Sequence, residues 1–294
     1  MRKRHYYIAS DIHSHLTPLK EALAEAGWQK RHKTDVLVIL GDIFDRGDET
    51  MAMYKFLRSF PKENLVLVRG NHEGLFLELL KKDLPGRHDY HNCTVKTFCQ
   101  IAGVSPDTMD STKVWWEYME SHPDCNYIEA QSHANKVLEE RFSEIKRKVV
   151  ESGIPEWLGS DAWQDYLEVG DYIMVHSFIP LRDKSPNKMS SDPDPQYFPT
   201  WRTDATREEW DQATWGCPYW SIDNGMLKEE PSKTLVCGHW HAYDFRQHYL
   251  NVRYHDYDLL YDNEVHKTYF GEGVIALDAC TAISKMVNVL KIDA

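Results

Sequence analysis

The sequence predicts an α/β protein whose chemistry sits in the loops leaving its strands. Short apolar runs recur along the chain: Tyr6-Tyr7-Ile8-Ala9, Val36-Leu37-Val38-Ile39-Leu40, Leu65-Val66-Leu67-Val68, Tyr172-Ile173-Met174-Val175 and Thr234-Leu235-Val236-Cys237. The first three alternate with amphipathic helical periods, the rhythm of strand and helix in α/β folds. Every one of these runs is followed within three residues by Asp, Asn or His. Open α/β sheets build their sites beyond the carboxyl ends of their strands.

The first strand, His5 to Ser10, delivers Asp11-Ile12-His13. A carboxylate and an imidazole two residues apart in an extended segment point to one side, which is ligand spacing for a metal. Thr17-Pro18 then opens a helix, with Thr as N-cap and Pro in the first turn, running to Gly27. The second strand is apolar throughout and reads as buried on both faces. It leads into Gly41-Asp42-Ile43-Phe44-Asp45-Arg46-Gly47. Glycines there let backbone approach a ligand, Asp42 can bridge cations, and Arg46 can fork onto an oxyanion. A helix over 49–60 follows, with Met53, Phe56, Leu57 and Phe60 on one face. The third strand ends in Arg69-Gly70-Asn71-His72-Glu73. Asn71 offers an amide oxygen to a metal and His72 a proton. The next helix turns Leu75, Phe76, Leu79 and Leu80 inward.

From about residue 85 to 170 the rhythm breaks, and the segment reads as a helical insertion in a single domain over 1–294. Its longest helix, Tyr127 to Val150, has Ile128, Val137, Leu138, Phe142 and Ile145 as a sparse apolar face. The aromatics of 114–118 read as packing, with a substrate wall as the alternative, and the whole region could equally be a docking surface. The fourth strand, 171–175, ends in His176. Residues 183–199 are rich in Pro, Ser and Asp and predict a long irregular loop, flexible or lid-like. A Trp-rich segment from Trp201 to Trp220 carries Arg202 and Arg207, read as part of a surface helix with substrate contact as the alternative. The fifth strand delivers Gly238-His239-Trp240-His241. An acidic, Tyr-rich tract at 251–264 predicts a solvated surface, and 273–278 with 286–290 a closing hairpin-like pair of strands.

Composition narrows the classes of partner. The net charge of −12, without a sustained basic face, argues against a nucleic-acid duplex as main ligand. Arg2-Lys3-Arg4 leads straight into a strand without a signal-like apolar stretch, and no run is long enough to span a bilayer. A cytoplasmic protein is expected. The six scattered cysteines form no C-x-x-C pair and read as reduced, buried thiols.

Collected, the strand-end residues are Asp11, His13, Asp42, Asn71, His176, His239 and His241. Mixed imidazole and carboxylate donors suit Mn, Fe, Zn, Co or Ni rather than Ca or Mg alone. Seven donors are too many for one ion and suit two, with one carboxylate bridging.

The order D-x-H, G-D-x-x-D-R-G, G-N-H-E, strand-end His and G-H-x-H resembles the calcineurin-like metallophosphoesterases. The D-R-G and N-H-E forms resemble the phosphoprotein-phosphatase branch, including bacteriophage lambda phosphatase and bacterial diadenosine tetraphosphatases. The resemblance implies a four-layer αββα sandwich with the insertion added. It implies two divalent transition-metal ions, manganese foremost. Asp11 and His13 would bind the first ion, Asp42 would bridge, and Asn71, His176 and His239 would bind the second, with His241 completing the first set. Arg46 and Arg69 would hold phosphate oxygens. His72 would be the general acid, oriented by Asp45, and attack would come directly from a bimetal-bound hydroxide. The implied substrate is a phosphorylated protein or a nucleotide. A serine/threonine protein phosphatase leads, and a hydrolase of dinucleoside polyphosphates shares every catalytic residue with it. A catalytically inert metal scaffold would have no use for His72, Asp45 and two arginines.

Overall fold

A computed structural model describes residues 3–29, 33–183, 195–228, 230 and 232–294. In chain order, β1 (His5–Ala9), α1 (Leu16–Glu25), β2 (Asp35–Leu40), α2 (Thr50–Arg58), β3 (Leu65–Val68) and α3 (Asn71–Leu79) make the first half. Next come α4 (Arg87–His91), α5 (Thr94–Ala102), α6 (Ser111–Ser121), α7 (Tyr127–Glu151) and α8 (Ile154–Leu158). The chain returns to strand at β4 (Trp163–Gln164), β5 (Leu167–Val169) and β6 (Tyr172–Met174), with a small pair β7 (Arg182–Asp183) and β8 (Pro195–Gln196). Short helices α9 (Trp201–Asp204), α10 (Arg207–Ala213) and α11 (Pro218–Asp223) precede β9 (Thr234–Cys237). Last are α12 (Ala242–Leu250), α13 (Asp256–Tyr261), β10 (Tyr269–Gly271), β11 (Val274–Ala276), α14 (Thr281–Ser284) and β12 (Leu290–Asp293).

The strands form two five-stranded sheets, in the orders β12-β1-β2-β3-β4 and β10-β11-β9-β6-β5. Alternation along β2 explains its unbroken apolar run. Val36, Val38 and Leu40 face the second sheet and meet Met174, Val236, Ile275 and Leu277. Leu37 and Ile39 face the other way, into a core shared with Leu19, Leu23, Met53, Phe76, Phe98 and Phe142. Beyond the second sheet, Trp201, Trp210 and Phe245 pack on Ile173 and Leu235. Helices therefore cover the outer face of each sheet, giving the four αββα layers.

Parallel register brings the strand ends level. Ala9 pairs with Ile39 and Leu40 with Val68, so Asp11, Asp42 and Asn71 emerge side by side. In the second sheet Met174 pairs with Val236 and Cys237 with Ala276, which aligns His176, His239 and Asp278.

Four expectations need correction. The closing strands are not a hairpin: β11 pairs with β9 and β10, while β12 lies antiparallel to β1 in the other sheet. The region to residue 170 is not helical throughout, since β4 extends the first sheet and β5 edges the second. Thr17 lies inside α1, whose N-cap is His15; the Thr17 amide and hydroxyl instead donate to the Glu49 carboxylate at 2.9 and 2.8 Å. Ile128 is 77% exposed, and the inward face of α7 is Ala130, Ala134, Leu138, Phe142, Ile145 and Val149. Most of the loop predicted at 183–199 lies outside the described residues. All six cysteines are free thiols, of which Cys99, Cys237 and Cys280 are buried. No helix among the described residues is long and apolar enough to cross a membrane.

Arg202 is committed to structure. It donates to Glu168 at 2.5 Å and bidentately to Glu230 at 2.8 and 3.0 Å. Tyr197 and Trp201 also donate to Glu230. Burial opposes ionisation of Glu230, but these donors outweigh it and hold the carboxyl at about 2. A depressed folded-state value stabilises the fold above the ordinary glutamate range and ceases to do so as pH falls toward 2. Glu230→Gln is expected to lower unfolding free energy at pH 7 by about 2 kcal/mol, discounted for the partly exposed Arg202. Denaturant melts from pH 7 down to pH 3 should show that deficit shrinking; a pH-independent deficit would refute the electrostatic account.

Candidate functional site

The strand ends are held in backbone conformations that side-chain-bearing residues avoid. Asp11, His13, Asp42, Asp45, Arg46 and His239 all have positive φ, at 52°, 48°, 54°, 71°, 59° and 62°. Such strain costs on the order of 1 kcal/mol or more per residue and concentrates at functional sites. Glycines make room for it. A methyl group at Gly41, itself at φ 77°, would stand 2.5 Å from Gly70 Cα and 2.7 Å from His176 Nδ1. One at Gly238 would run into Ser10 Oγ and Asp11 Oδ2. The loops are stitched together by His13 N–H to Asp42 O at 2.9 Å and Asp11 N–H to Gly41 O at 3.3 Å.

Two clusters share Asp42. His13, Asp42 and His72 form one, and Asp42, His176 and His239 the other; within each, the ligand-competent atoms lie within 4.8 Å of one another. Asp42 Oδ2 faces His13 Nε2 at 3.8 Å and His72 Nε2 at 3.9 Å. Its Oδ1 faces His176 Nε2 at 3.5 Å and accepts the His72 amide at 3.0 Å. Asn71 Oδ1 is 2.8 Å from His176 Nε2. Asp11 sits behind, accepting from Ser10 Oγ and, at 2.9 Å, from the His239 amide.

The donor set fits divalent transition metals on its own geometry. His13 Nδ1 donates to Phe44 O at 2.9 Å, and His176 Nδ1 to Leu40 O at 2.7 Å. A carbonyl only accepts, so each Nδ1 carries a proton and each ring turns its Nε2 toward Asp42. Burial opposes charge on His176, but Asp42 and Asp11 raise it. Donors bound to one ion at about 2.1 Å stand roughly 3–3.5 Å apart, which is near the spacing found here.

The charges agree with a cation site. Burial, reinforced by Asp278 and Asp42, pushes the Asp11 carboxyl up to about 8. Burial and the neighbouring His176 bring His239 down to about 3, and burial with His72 and Arg46 lowers His13. Burial opposes ionisation of Asp42, but His176, His72 and His13 prevail and hold it well below the carboxylate range.

His72 is held differently from His13 and His176, which bond backbone carbonyls through Nδ1. Its Nδ1 is bonded to Asp45 Oδ2 at 2.6 Å, and its Nε2 lies 3.4 Å from Arg46 Nη2. Burial disfavours the imidazolium, yet Asp42 and Asp45 raise it to about 9. Arg69 is placed differently from Arg46. Its guanidinium donates to the carbonyls of Leu158 and Ser160 at 2.9 and 3.3 Å, with Asp165 at 3.8 Å. His241 lies to one side, with Nδ1 3.1 Å from Asp244 and Nε2 3.8 Å from Asp278. Burial opposes its charge, but Asp278 and Asp244 raise it to about 12.

Two further carboxylates belong to the site. Glu73 is buried and accepts from the amides of Gly70, Asp42 and Ile43 at 2.8, 3.0 and 3.0 Å, clamping the loops after β2 and β3 together. Asp278 is 3% exposed, accepts the Cys280 amide at 2.7 Å and faces His241. Its signal was the same as that of the others: an acidic residue ending an apolar strand.

Beside the centre opens a cleft of about 280 Å³ whose lining includes Arg69, Asn71, Lys81, Arg207 and Trp215. Arg207 bonds Asp165 and Asp211 at 2.5 and 2.9 Å. Trp215 is 47% exposed and meets His239 edge-on at 5.6 Å.

The family model described as calcineurin-like phosphoesterase matches residues 5–243. Serine/threonine-protein phosphatase 1 of Salmonella typhimurium is 33% identical over 75 residues, 26% of this chain and 32% of that enzyme. The match thus spans about a third of that relative's length. Among solved structures, one provisionally described as a diadenosine tetraphosphatase has a TM-score of 0.41 at 12% identity, covering 99% of this chain and 93% of its own. A cold-active protein-tyrosine phosphatase from a psychrophilic Shewanella has a TM-score of 0.46 at 14% identity, covering 98% of this chain and 75% of its own.

Proposed function

The chain belongs to the calcineurin-like phosphoesterase family, and on that premise we propose that it hydrolyses phosphomonoesters, acting on phosphoserine or phosphothreonine in proteins. The observation that carries this reading is the His72–Asp45 pair at 2.6 Å, set against Asp42, which His13 and His72 approach from one side and His176 and His239 from the other. Asp11, His13 and Asp42 would hold one divalent transition-metal ion; Asp42, Asn71, His176 and His239 would hold a second, with His241 and Asp278 at the margin of the first. Manganese is the first candidate among Mn, Fe, Zn, Co and Ni. Bound there, such ions supply Lewis-acid polarisation of the phosphoryl group and an acidified water that works near neutral pH.

The chain's own residues do the rest. Arg46, beside His72, presents a guanidinium to a phosphoryl oxygen. Arg69 keeps its plane by donating to two carbonyls, which leaves its remaining N–H groups for a second oxygen. His72 carries a proton on Nδ1, held by Asp45, and gives the one on Nε2 to the departing oxygen. The close packing of the loops around Gly41, Gly70 and Gly238 keeps these groups from relaxing toward one another.

A second reading has its own observation. Trp215, half exposed beside His239 and next to Arg69, Lys81 and Arg207, is a surface on which a nucleobase can stack. That favours a dinucleoside polyphosphate. The test is hydrolysis by metal-stripped protein after Mn(II) addition, with a phosphothreonine peptide and diadenosine tetraphosphate compared by kcat/KM. Preference for the peptide supports the leading reading, and preference for the dinucleotide replaces it. Absence of Mn-dependent turnover on both, and on p-nitrophenyl phosphate, would refute the phosphoesterase assignment.

A further inference from the structure

The sequence assigns no role to the insertion. Its second helix, however, reaches the proton donor. Thr94, Lys96, Thr97 and Gln100 of α5 all bond to the loop that carries Asp45 and Arg46. Thr97 Oγ1 donates to Asp45 Oδ1 at 2.6 Å, and Thr94 Oγ1 donates to Asp45 Oδ2 at 3.0 Å. The Asp45 amide donates back to Thr97 Oγ1 at 3.1 Å. Lys96 Nζ donates to Arg46 O at 2.9 Å, and Gln100 Nε2 to Gly47 O at 3.0 Å. Positions three and four apart share one helix face, so four contacts come from one rigid element. On its other side α5 is anchored by Val95, Phe98, Cys99 and Ala102 in the core of the outer layer.

Thr94 and Thr97 are both fully buried, at 0% and 1% exposure. Each hydroxyl spends its single proton on the Asp45 carboxylate. With His72 Nδ1 also on Oδ2, the carboxylate receives three donors, all from fixed directions. It cannot rotate without leaving one unpaired in a buried place. Positive φ at Asp45 and Arg46 means that the loop would not hold this shape unaided.

We infer that α5 is the positioning element for proton donation: Thr94 and Thr97 lock the Asp45 carboxylate so that His72 keeps its proton on Nδ1 and aims Nε2 at the leaving group. The inference rests on the reading of His72 as the proton donor. Neither threonine touches substrate. Their effect passes through Asp45, so it must depend on how much the leaving group needs a proton.

The test uses the full chain loaded with Mn(II) and two aryl esters, phenyl phosphate with a poor leaving group and p-nitrophenyl phosphate with a good one. Thr97→Val and the double variant Thr94→Val/Thr97→Val are expected to lose roughly 10–100-fold in kcat on phenyl phosphate. On p-nitrophenyl phosphate the loss should be only a few-fold, with KM nearly unchanged on both. Thr97→Ser, which restores the hydroxyl, should recover most of the rate. Melting temperature and metal content close to the parent's identify folded variants; should the double variant melt early, Thr97→Val alone decides. Equal losses on both esters, or no loss, in folded variants would overturn the inference. His72→Asn is run alongside. If it shows the leaving-group-dependent loss and the threonine variants do not, only the role of α5 fails. If it shows none, the assignment of His72 fails and takes this inference with it.

Discussion

Asp42→Asn is expected to lower kcat/KM by roughly 10³-fold or more, about 4 kcal/mol of transition-state stabilisation, and to leave the protein unable to retain two metal equivalents. Asp42 is the one residue whose two oxygens face different groups of imidazoles, Oδ2 toward His13 and His72 and Oδ1 toward His176. An amide keeps the shape but replaces one oxygen with an N–H₂ group, which repels a cation and has no lone pair to give. It also removes the negative charge that faces His176, His72 and His13 in a buried site. Either orientation of the amide spoils one cluster, so rotation offers no escape. The measurement is metal content after dialysis at limiting Mn(II), alongside steady-state kinetics. A folded Asp42→Asn protein that keeps two ions and near-parental turnover would remove Asp42 from the bridging position.

How much of this was legible in the sequence follows from what is local. Short apolar runs with polar ends are local signals, and Asp11, Asp42, Asn71, His176 and His239 could be read from them one strand at a time. Their meeting depends on parallel register, which the βαβ rhythm makes the default for the first three strands. The closing strands show the limit. Residues 290–293 pair with residues 5–8, across nearly the whole chain, and nothing near residue 290 announces that partner. Thr17 shows a different one. A Thr before a Pro is a sound N-cap signal, but the Glu49 carboxylate, brought from another loop, engages its amide and hydroxyl instead. Apolarity alone puts Ile128 on the α7 face, yet it is 77% exposed, and small Ala130 and Ala134 are buried in its stead. Glu73 could have been found, since a Glu three residues after Gly70 is the reciprocal half of a capping arrangement. Its bonds to Asp42 and Ile43 could not, because they come from another strand's loop.

His72→Asn should produce the second large effect, and its pattern matters more than its size. General acid catalysis contributes roughly 10²–10⁴-fold, and only where the departing oxygen is too basic to leave unprotonated. The expected result is therefore a kcat loss of about that size on phenyl phosphate or a phosphothreonine peptide, and a much smaller loss on p-nitrophenyl phosphate. Asn is chosen because it keeps a polar side chain at the site but cannot carry a transferable proton. Arg46 supplies the internal control. Its guanidinium, 3.4 Å from His72 Nε2, carries positive charge into the same space but does not give up a proton at working pH. If His72 contributes only positive charge, like Arg46, its loss should slow both esters by the same factor, because phosphoryl charge is similar in each. If it contributes a proton, the two esters separate. Asp45→Asn should then follow His72→Asn on the poor leaving group, because the 2.6 Å bond to Nδ1 is what keeps the imidazole charged inside a buried site. Parallel losses on both esters would make His72 an electrostatic element and leave the departing oxygen to take its proton from solvent.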